Sequence, residues 1–392
     1  MISNGHPRIK VHGMVEQTNR LCNIASVYRY FFLVLLLLIS IQISFNLSVQ
    51  QAAFRFVEKW IEVPEKVYNT SGLEQWAIPQ EQMQSLSSHS TSTLTTPSST
   101  QVALVCNTSK TNTEECIPLC PETPKRLVGA LATYSDSPSY ADLERLFPWV
   151  KDGGRAKPSY CVPRYRVAII IPYRNRESML KTFLYNIHPI LYRQDLDYGI
   201  YVIEQNGTSR FNRAMLMNIG YAEASKIYDY QCFIFHDVDL VPENDKNIYS
   251  CPSQPRHMSV AIDKFNYRLP YTGIFGGVSA LTKEQFQKVN GFSNKFFGWG
   301  GEDDDMWNRI HSAGYKVIRY SLDIARYKMI KHGRDVGNQK NPDRLRLLSQ
   351  GRKRFKTDGI NSLKYKVLQI DFNHLFTRVL VDINEAEVMK TK

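Results

Sequence analysis

Two aspartates one residue apart, Asp237 and Asp239, directly follow the β-favouring run Cys232-Phe-Ile-Phe-His236. On an extended backbone they point to one side, and hard carboxylate oxygens so placed suit magnesium or manganese. Alone, such a pair serves as often to cap or turn a chain; its place after a buried strand singles it out. Farther on, Trp299-Gly-Gly-Glu-Asp-Asp-Asp-Met-Trp-Asn-Arg309 sets four acids at the start of a predicted helix, where the helix dipole favours them. Crowded like charges raise one another's proton affinity, so one of them could act as a general base near neutral pH. A solvated, capped first turn is the bland alternative, but the glycines and tryptophans beside the acids suit a cleft with an aromatic wall for a sugar face. Met329 and His332 could complete a site begun by Asp239, either on one helical turn or within a loop. A packing methionine and a surface histidine are the commoner use of that pair. The polar segment after them, residues 333–343 (GRDVGNQKNPD), suits a mobile lid.

These residues need a frame. The runs 167–171, 198–203 and 232–236 are short, β-favouring and end in polar residues, so each reads as a buried strand. Helix-like segments, 177–191 and 212–228, lie between them, which predicts an α/β fold with a mostly parallel sheet flanked by helices. Ligands of such sheets gather at the carboxyl ends of strands. The polar clusters fall there: Pro172-Tyr-Arg-Asn-Arg176, Glu204-Gln-Asn206 and Asp237-Val-Asp239.

The amino terminus adds a location. Residues 30–45 (YFFLVLLLLISIQISF) are almost wholly apolar, and Arg8, Lys10, Arg20 and Arg29 precede them. Positive flanks stay cytosolic, which predicts a cytosolic tail (1–29), a signal anchor (30–45) and a lumenal remainder. At ~1.5 Å per residue the run covers about 24 Å, which favours a thin Golgi-type bilayer; a cleaved signal peptide is the competing reading. Residues 46–115 read as a Ser/Thr-rich stem, with 85–100 (SLSSHSTSTLTTPSST) unable to order itself. A catalytic domain is expected over 116–392. Sequons at Asn46, Asn69, Asn107 and Asn206 agree with a lumenal course, the first standing close to the bilayer. Of seven cysteines, Cys106, Cys116, Cys120, Cys161, Cys232 and Cys251 fall on that oxidising side, and spacing alone does not choose their pairing. Net charge is +12, but no finger spacing, RNA-binding aromatic motif or dense basic run accompanies it, which argues against nucleic acid.

In order, the blocks IIIPYRNRE, FNRAMLMNIGY, FHDVDLVPENDKNIY, QPRHMSVAIDKF, YTGIFGGVSALTKEQF, NGF, FGWGGEDDDMWNR and HGRD resemble the β1,4-galactosyltransferase family from Cys120 to Ile383. The resemblance implies a GT-A fold, an inverting mechanism, a UDP-sugar donor, a GlcNAc-terminated acceptor and dependence on Mn2+. It implies that Pro172, Tyr173, Arg174, Asn175 and Arg176, with Phe211, Asn212 and Arg213, hold the uridine nucleotide. Asp239, Met329 and His332 would bind the metal, with Asp237, Val238, Lys264 and Trp299 around the donor. Tyr271, Gly301, Glu302, Asp303, Asp304 and Arg344 would hold the acceptor, and Asp303 would be the base. The disulfides Cys120–Cys161 and Cys232–Cys251 are implied as well, leaving Cys106 and Cys116 as an extra pair whose partners stay open.

One position departs. Galactose-transferring members carry Tyr where this chain has Ile274, and that Tyr crowds the donor's C2 substituent. Invertebrate members with Ile or Leu there resemble N-acetylgalactosaminyltransferases. UDP-GalNAc is therefore the expected donor and GalNAcβ1-4GlcNAc the product; UDP-Gal is the alternative, and a non-catalytic, membrane-tethered sugar-binding protein the remote one. The natural acceptor, the oligomeric state and any accessory membrane protein stay open.

Overall fold

The computed structural model describes residues 104–108, 114–333 and 338–390, with four single positions nearer the amino terminus. Those four, Val34, Leu36, Ser40 and Gln42, are helical and lie in a first unit, Met1–Ser85. Most of the expected anchor, the stem to residue 103 with Asn46 and Asn69, and lid residues 334–337 fall outside the described residues. Among the described residues no helix is long and apolar enough to cross a membrane.

The second unit, Leu86–Lys392, opens with an antiparallel hairpin, β1 (Leu104–Thr108) and β2 (Glu114–Pro118), whose register sets Cys106 opposite Cys116. It starts inside the stretch expected as stem, because five-residue strands leave too short a pattern to stand out from Ser/Thr-rich surroundings.

Helix α1 (Tyr140–Leu146) precedes the main sheet. That sheet comprises β3 (Arg155–Ala156), β4 (Arg166–Tyr173), β5 (Asp197–Gln205), β6 (Cys232–His236), β8 (Arg256–His257), β10 (Val278–Thr282), β12 (Lys366–Phe372) and β13 (Thr377–Asp382). Its order is β12-β13-β5-β4-β6-β10-β8, with β3 on β5. Strands β13, β5, β4 and β6 are parallel, and residues 167–171 have no exposed surface, as expected of a sheet covered on both faces. Helices α2 (Glu177–Arg193) and α3 (Arg213–Ile227) connect the central strands. Both match their predicted spans to within two residues. After α3 come α4 (Lys283–Lys288), α5 (Glu302–Ser312), α6 (Arg344–Ser349), α7 (Gly351–Arg354) and α8 (Glu385–Lys390).

A small second sheet, β7 (Leu240–Pro242), β11 (Arg326–Met329) and β9 (Ala261–Ile262) in the order β7-β11-β9, extends from the end of β6. Disulfides join Cys120 to Cys161 and Cys232 to Cys251, as the resemblance implied.

Candidate active site

The carboxyl ends of β4, β5 and β6 open on one edge. Pro172 and Tyr173 close β4, Asn175 turns the chain in a left-handed conformation (φ 50°), and Arg176 leads into α2. Arg174 stacks over the Phe211 ring (5.1 Å) and donates to the Ser209 carbonyl (2.6 Å). Asn212 is fully buried. Its side chain accepts from Met215 N–H (2.9 Å), capping α3, and donates to the Asn294 carbonyl (2.7 Å), so it fixes the junction between the Phe211 loop and the first turn of α3, which begins at Arg213.

Arg213, in the first turn of α3, donates from Nε to Asp237 Oδ1 (2.6 Å), and its Nη1 lies 3.6 Å from Glu302 Oε1. One guanidinium thus joins the acidic pair after β6 to the acidic turn that opens α5. The Asp237 side chain keeps 30% of its surface open, yet its recessed place in the cleft pushes its carboxyl up to about 6 against the pull of Arg213, with Asp239 adding repulsion. Burial likewise lifts Glu302 to about 7, with the charge of Asp303 behind it. Asp303 is raised by burial and then by Asp304. Several carboxyls around one cation cannot all ionise easily, which is the condition for a base that works near neutrality.

The four acids of the turn divide by surroundings. Gly301 (φ 96°) brings the chain into α5 in a conformation that favours glycine. Asp303 lies so close to Gly276 that a Cβ there would sit 2.6 Å from its Oδ2. Asp304 Oδ1 accepts from the Tyr271 hydroxyl (2.9 Å). Asp305 turns inward to Arg309 Nε (2.6 Å), both side chains fully buried, and serves the fold. Arg344 packs against the Gly300-Gly301 backbone. Trp299 is 60% exposed; its N–H donates to the Gln339 carbonyl and its own carbonyl accepts from Asn341 N–H, while Gly298 N–H reaches the Phe211 carbonyl. The tryptophan loop is therefore bound both to the Phe211 loop and to residues 339–341.

Met329 ends β11 opposite Leu240 of β7, and Ile330 N–H donates to the Asp239 carbonyl (2.7 Å). His332 follows in a loop, so the helical-turn alternative is excluded. Its Nε2 lies 3.0 Å from Asp239 Oδ2, and its Nδ1 lies 2.7 Å from the Gly333 carbonyl. A carbonyl only accepts, so Nδ1 carries the ring proton and Nε2 presents a lone pair to the carboxylate. Two lone pairs at that distance need a cation between them, a proton or a metal ion, and the hydrogen bond to Asp239 accordingly raises the proton affinity of His332. Carboxylate and imidazole fit manganese; the thioether is the soft partner of the set. Among the described residues no group of three or more His, Cys, Asp and Glu is placed to hold a metal; Asp239 and His332 supply two such groups, and Met329 stands beside them along the backbone, paired with Leu240.

Of the remaining predicted residues, Val238 is buried and Lys264 is exposed. Lys264 adjoins Asp263, whose Oδ1 accepts from Met329 N–H (2.8 Å). Ile274 N–H donates to the Tyr271 carbonyl (3.3 Å), and its own carbonyl accepts from Arg319 Nη2 (2.9 Å). Sequence reasoning missed Asp263 and Arg319, each of which supports a predicted residue through that residue's backbone. Only backbone pairing reveals such partners.

A parallel-stranded α/β unit with an acidic pair after β6 and a second acid cluster across from it defines a GT-A glycosyltransferase. Residues 120–252 match the N-terminal region of glycosyl transferase group 7, and residues 256–333 match the N-terminal domain of galactosyltransferase. Mouse β1,4-galactosyltransferase 1 is 52% identical over 270 residues, 68% of this chain and 67% of that one. β1,4-Galactosyltransferase 2 of Cricetulus griseus is 50% identical over 273 residues, 69% of this chain and 74% of its own. The catalytic domain of Drosophila β1,4-galactosyltransferase 7, solved with xylobiose, superposes with a TM-score of 0.50 at 30% identity, covering 58% of this chain and 99% of that one. The chain belongs to the β1,4-galactosyltransferase family.

Proposed function

We propose that the enzyme transfers GalNAc from UDP-GalNAc to the 4-hydroxyl of a terminal β-linked GlcNAc, inverting the anomeric centre. The observation that carries the donor assignment is Ile274. It belongs to the turn that runs from Tyr271, bonded to Asp304, to Gly276, packed on Asp303. A branched aliphatic chain there leaves room for an N-acetyl group that a tyrosine ring would crowd. The relatives named above are galactosyltransferases, which favours UDP-Gal as the second reading.

Asp303 is the base: it takes the proton from the acceptor 4-hydroxyl as that oxygen attacks the anomeric carbon from the face opposite UDP. Arg213 steadies Asp237 on the donor side and Glu302 on the acceptor side, keeping the two half-sites in register. Trp299 screens the donor from water, and Tyr271 and Arg344 orient the acceptor sugar. Asp239, Met329 and His332 would hold manganese, which when bound offsets the negative charge growing on the departing diphosphate.

The apolar run near the amino terminus, the sequons, with Asn206 exposed after β5, and the two disulfides support a single-pass type II Golgi protein with its catalytic unit in the lumen. The test offers the full chain UDP-Gal and UDP-GalNAc together, with manganese and a β-linked GlcNAc acceptor. GalNAc transfer should dominate; much faster galactose transfer would overturn the donor assignment.

A further inference from the structure

Behind the acidic pair lies a chain of fully buried polar side chains, Asn247, Tyr327, Tyr249 and His236. His236 Nδ1 is 2.8 Å from the Asp237 carbonyl and its Nε2 is 2.9 Å from the Tyr249 hydroxyl. Tyr249 and Tyr327 hydroxyls are 3.1 Å apart, and Asn247 Nδ2 donates to the Tyr327 hydroxyl (3.2 Å). Proton positions follow from the ends. The Asp237 carbonyl only accepts, so His236 carries its proton on Nδ1, and burial keeps the ring neutral. Nε2 is then an acceptor and takes the Tyr249 proton. Tyr249 oxygen takes the Tyr327 proton in turn, and Tyr327 oxygen accepts from the Asn247 amide. Every donor points the same way, toward the Asp237 carbonyl.

The two ends of this chain matter. The Asp237 carbonyl also accepts from Leu240 N–H (3.3 Å), closing the turn that presents Asp239. Tyr327 stands on β11, two residues before Met329 and five before His332. The hydrogen bonds therefore link the two backbone segments whose side chains face one another across the Asp239–His332 gap. We propose that His236, Tyr249 and Tyr327 form a positioning relay that sets this gap and so tunes the affinity of the site for a divalent cation; this rests on the reading of Asp239, Met329 and His332 as metal ligands. None of the three touches substrate. They act through the backbone, as outer partners orient ligating groups in metal sites generally.

Tyr249→Phe removes the proton donated to His236 Nε2 while keeping the ring. A second buried tyrosine pair, Tyr201 and Tyr230 (3.1 Å between hydroxyls), supplies the control, since Tyr230→Phe deletes a comparable bond away from the cleft. Manganese binding by the full chain, followed by the electron paramagnetic resonance signal of the free ion, should weaken about 10- to 100-fold in Tyr249→Phe and stay unchanged in Tyr230→Phe. Long-range 15N spectra of His236 should show the Nδ1–H form in both proteins, held by the Asp237 carbonyl, with the Nε2 resonance shifted in Tyr249→Phe by loss of its hydrogen-bond donor. Equal affinity in the two variants, with tight binding by the unmodified chain, would overturn the relay alone. If the unmodified chain bound no manganese, the assignment of the metal ligands would fall first, and the relay with it.

Discussion

His332 Nε2 lies 3.0 Å from Asp239 Oδ2, although 93 residues separate them in the chain. That approach is what a shared cation requires. His332→Ala should weaken manganese binding by more than about 100-fold, beyond the range for outer partners, and abolish the recovery of activity when manganese is returned to chelator-treated enzyme. Unaltered recovery would remove His332 from the ligand set.

Asp303→Asn keeps the shape of the turn and removes the proton acceptor. Transfer should drop about 10²- to 10⁴-fold with little change in the KM for the donor. Undiminished turnover would move the base elsewhere, and absence of transfer in the unmodified protein as well would favour a sugar-binding role.

Glu302 supplies a pH signature. Its ordinary value is 4.5, and in the fold burial raises it to about 7. The folded state therefore binds more protons than the unfolded one between those values, so the contribution of this group to stability is complete below 4.5 and is lost as pH rises through about 7. Glu302→Gln removes that dependence. Melting temperature against pH should fall more steeply across this window for the unmodified enzyme than for the variant.

At Ile274, introduction of tyrosine should shift donor preference toward galactose. A single pocket contact of this kind discriminates by about 10- to 200-fold, so the ratio of kcat/KM for UDP-Gal and UDP-GalNAc is the measure. A ratio that does not move would make the residue a neutral packing difference.

Arg309 and Asp305 are fully buried partners one helical turn apart. Arg309→Met strands a buried carboxylate and should cost about 3–5 kcal/mol in denaturant unfolding. Adding Asp305→Leu should restore most of it, which separates this acid from its neighbours Asp303 and Asp304.

The central strands and their helices were legible because residues 167–171 and 232–235 are unbroken apolar runs, the mark of strands covered on both faces. The residues alone placed Asp237 and Asp239 at a strand end and the 302–304 acids at a helix start; that the two groups share one cleft came only from the family resemblance. The second sheet was hidden. Strands of three, two and four residues, at Leu240–Pro242, Ala261–Ile262 and Arg326–Met329, carry no periodicity, so Met329 and His332 read equally well as a helical turn or a loop. Asn212 looked like a ligand-facing residue inside FNR, yet it is fully enclosed as a helix cap. The polar chain behind His236 was invisible because Tyr249 and Tyr327 look like ordinary core aromatics and Tyr327 is far from His236 in sequence.

The small sheet β7-β11-β9 has a bearing on how the enzyme matures. Its strands β7 and β9 are near neighbours in sequence but β11 comes from a distant stretch, so the sheet closes only once that later segment is in place, and no fragment ending before it would hold the proposed ion pocket. Metal would then be captured by finished molecules alone and would protect them by mass action. If Asp239, Met329 and His332 hold manganese as proposed, a compartment starved of the ion would carry a shorter-lived enzyme as well as a slower one.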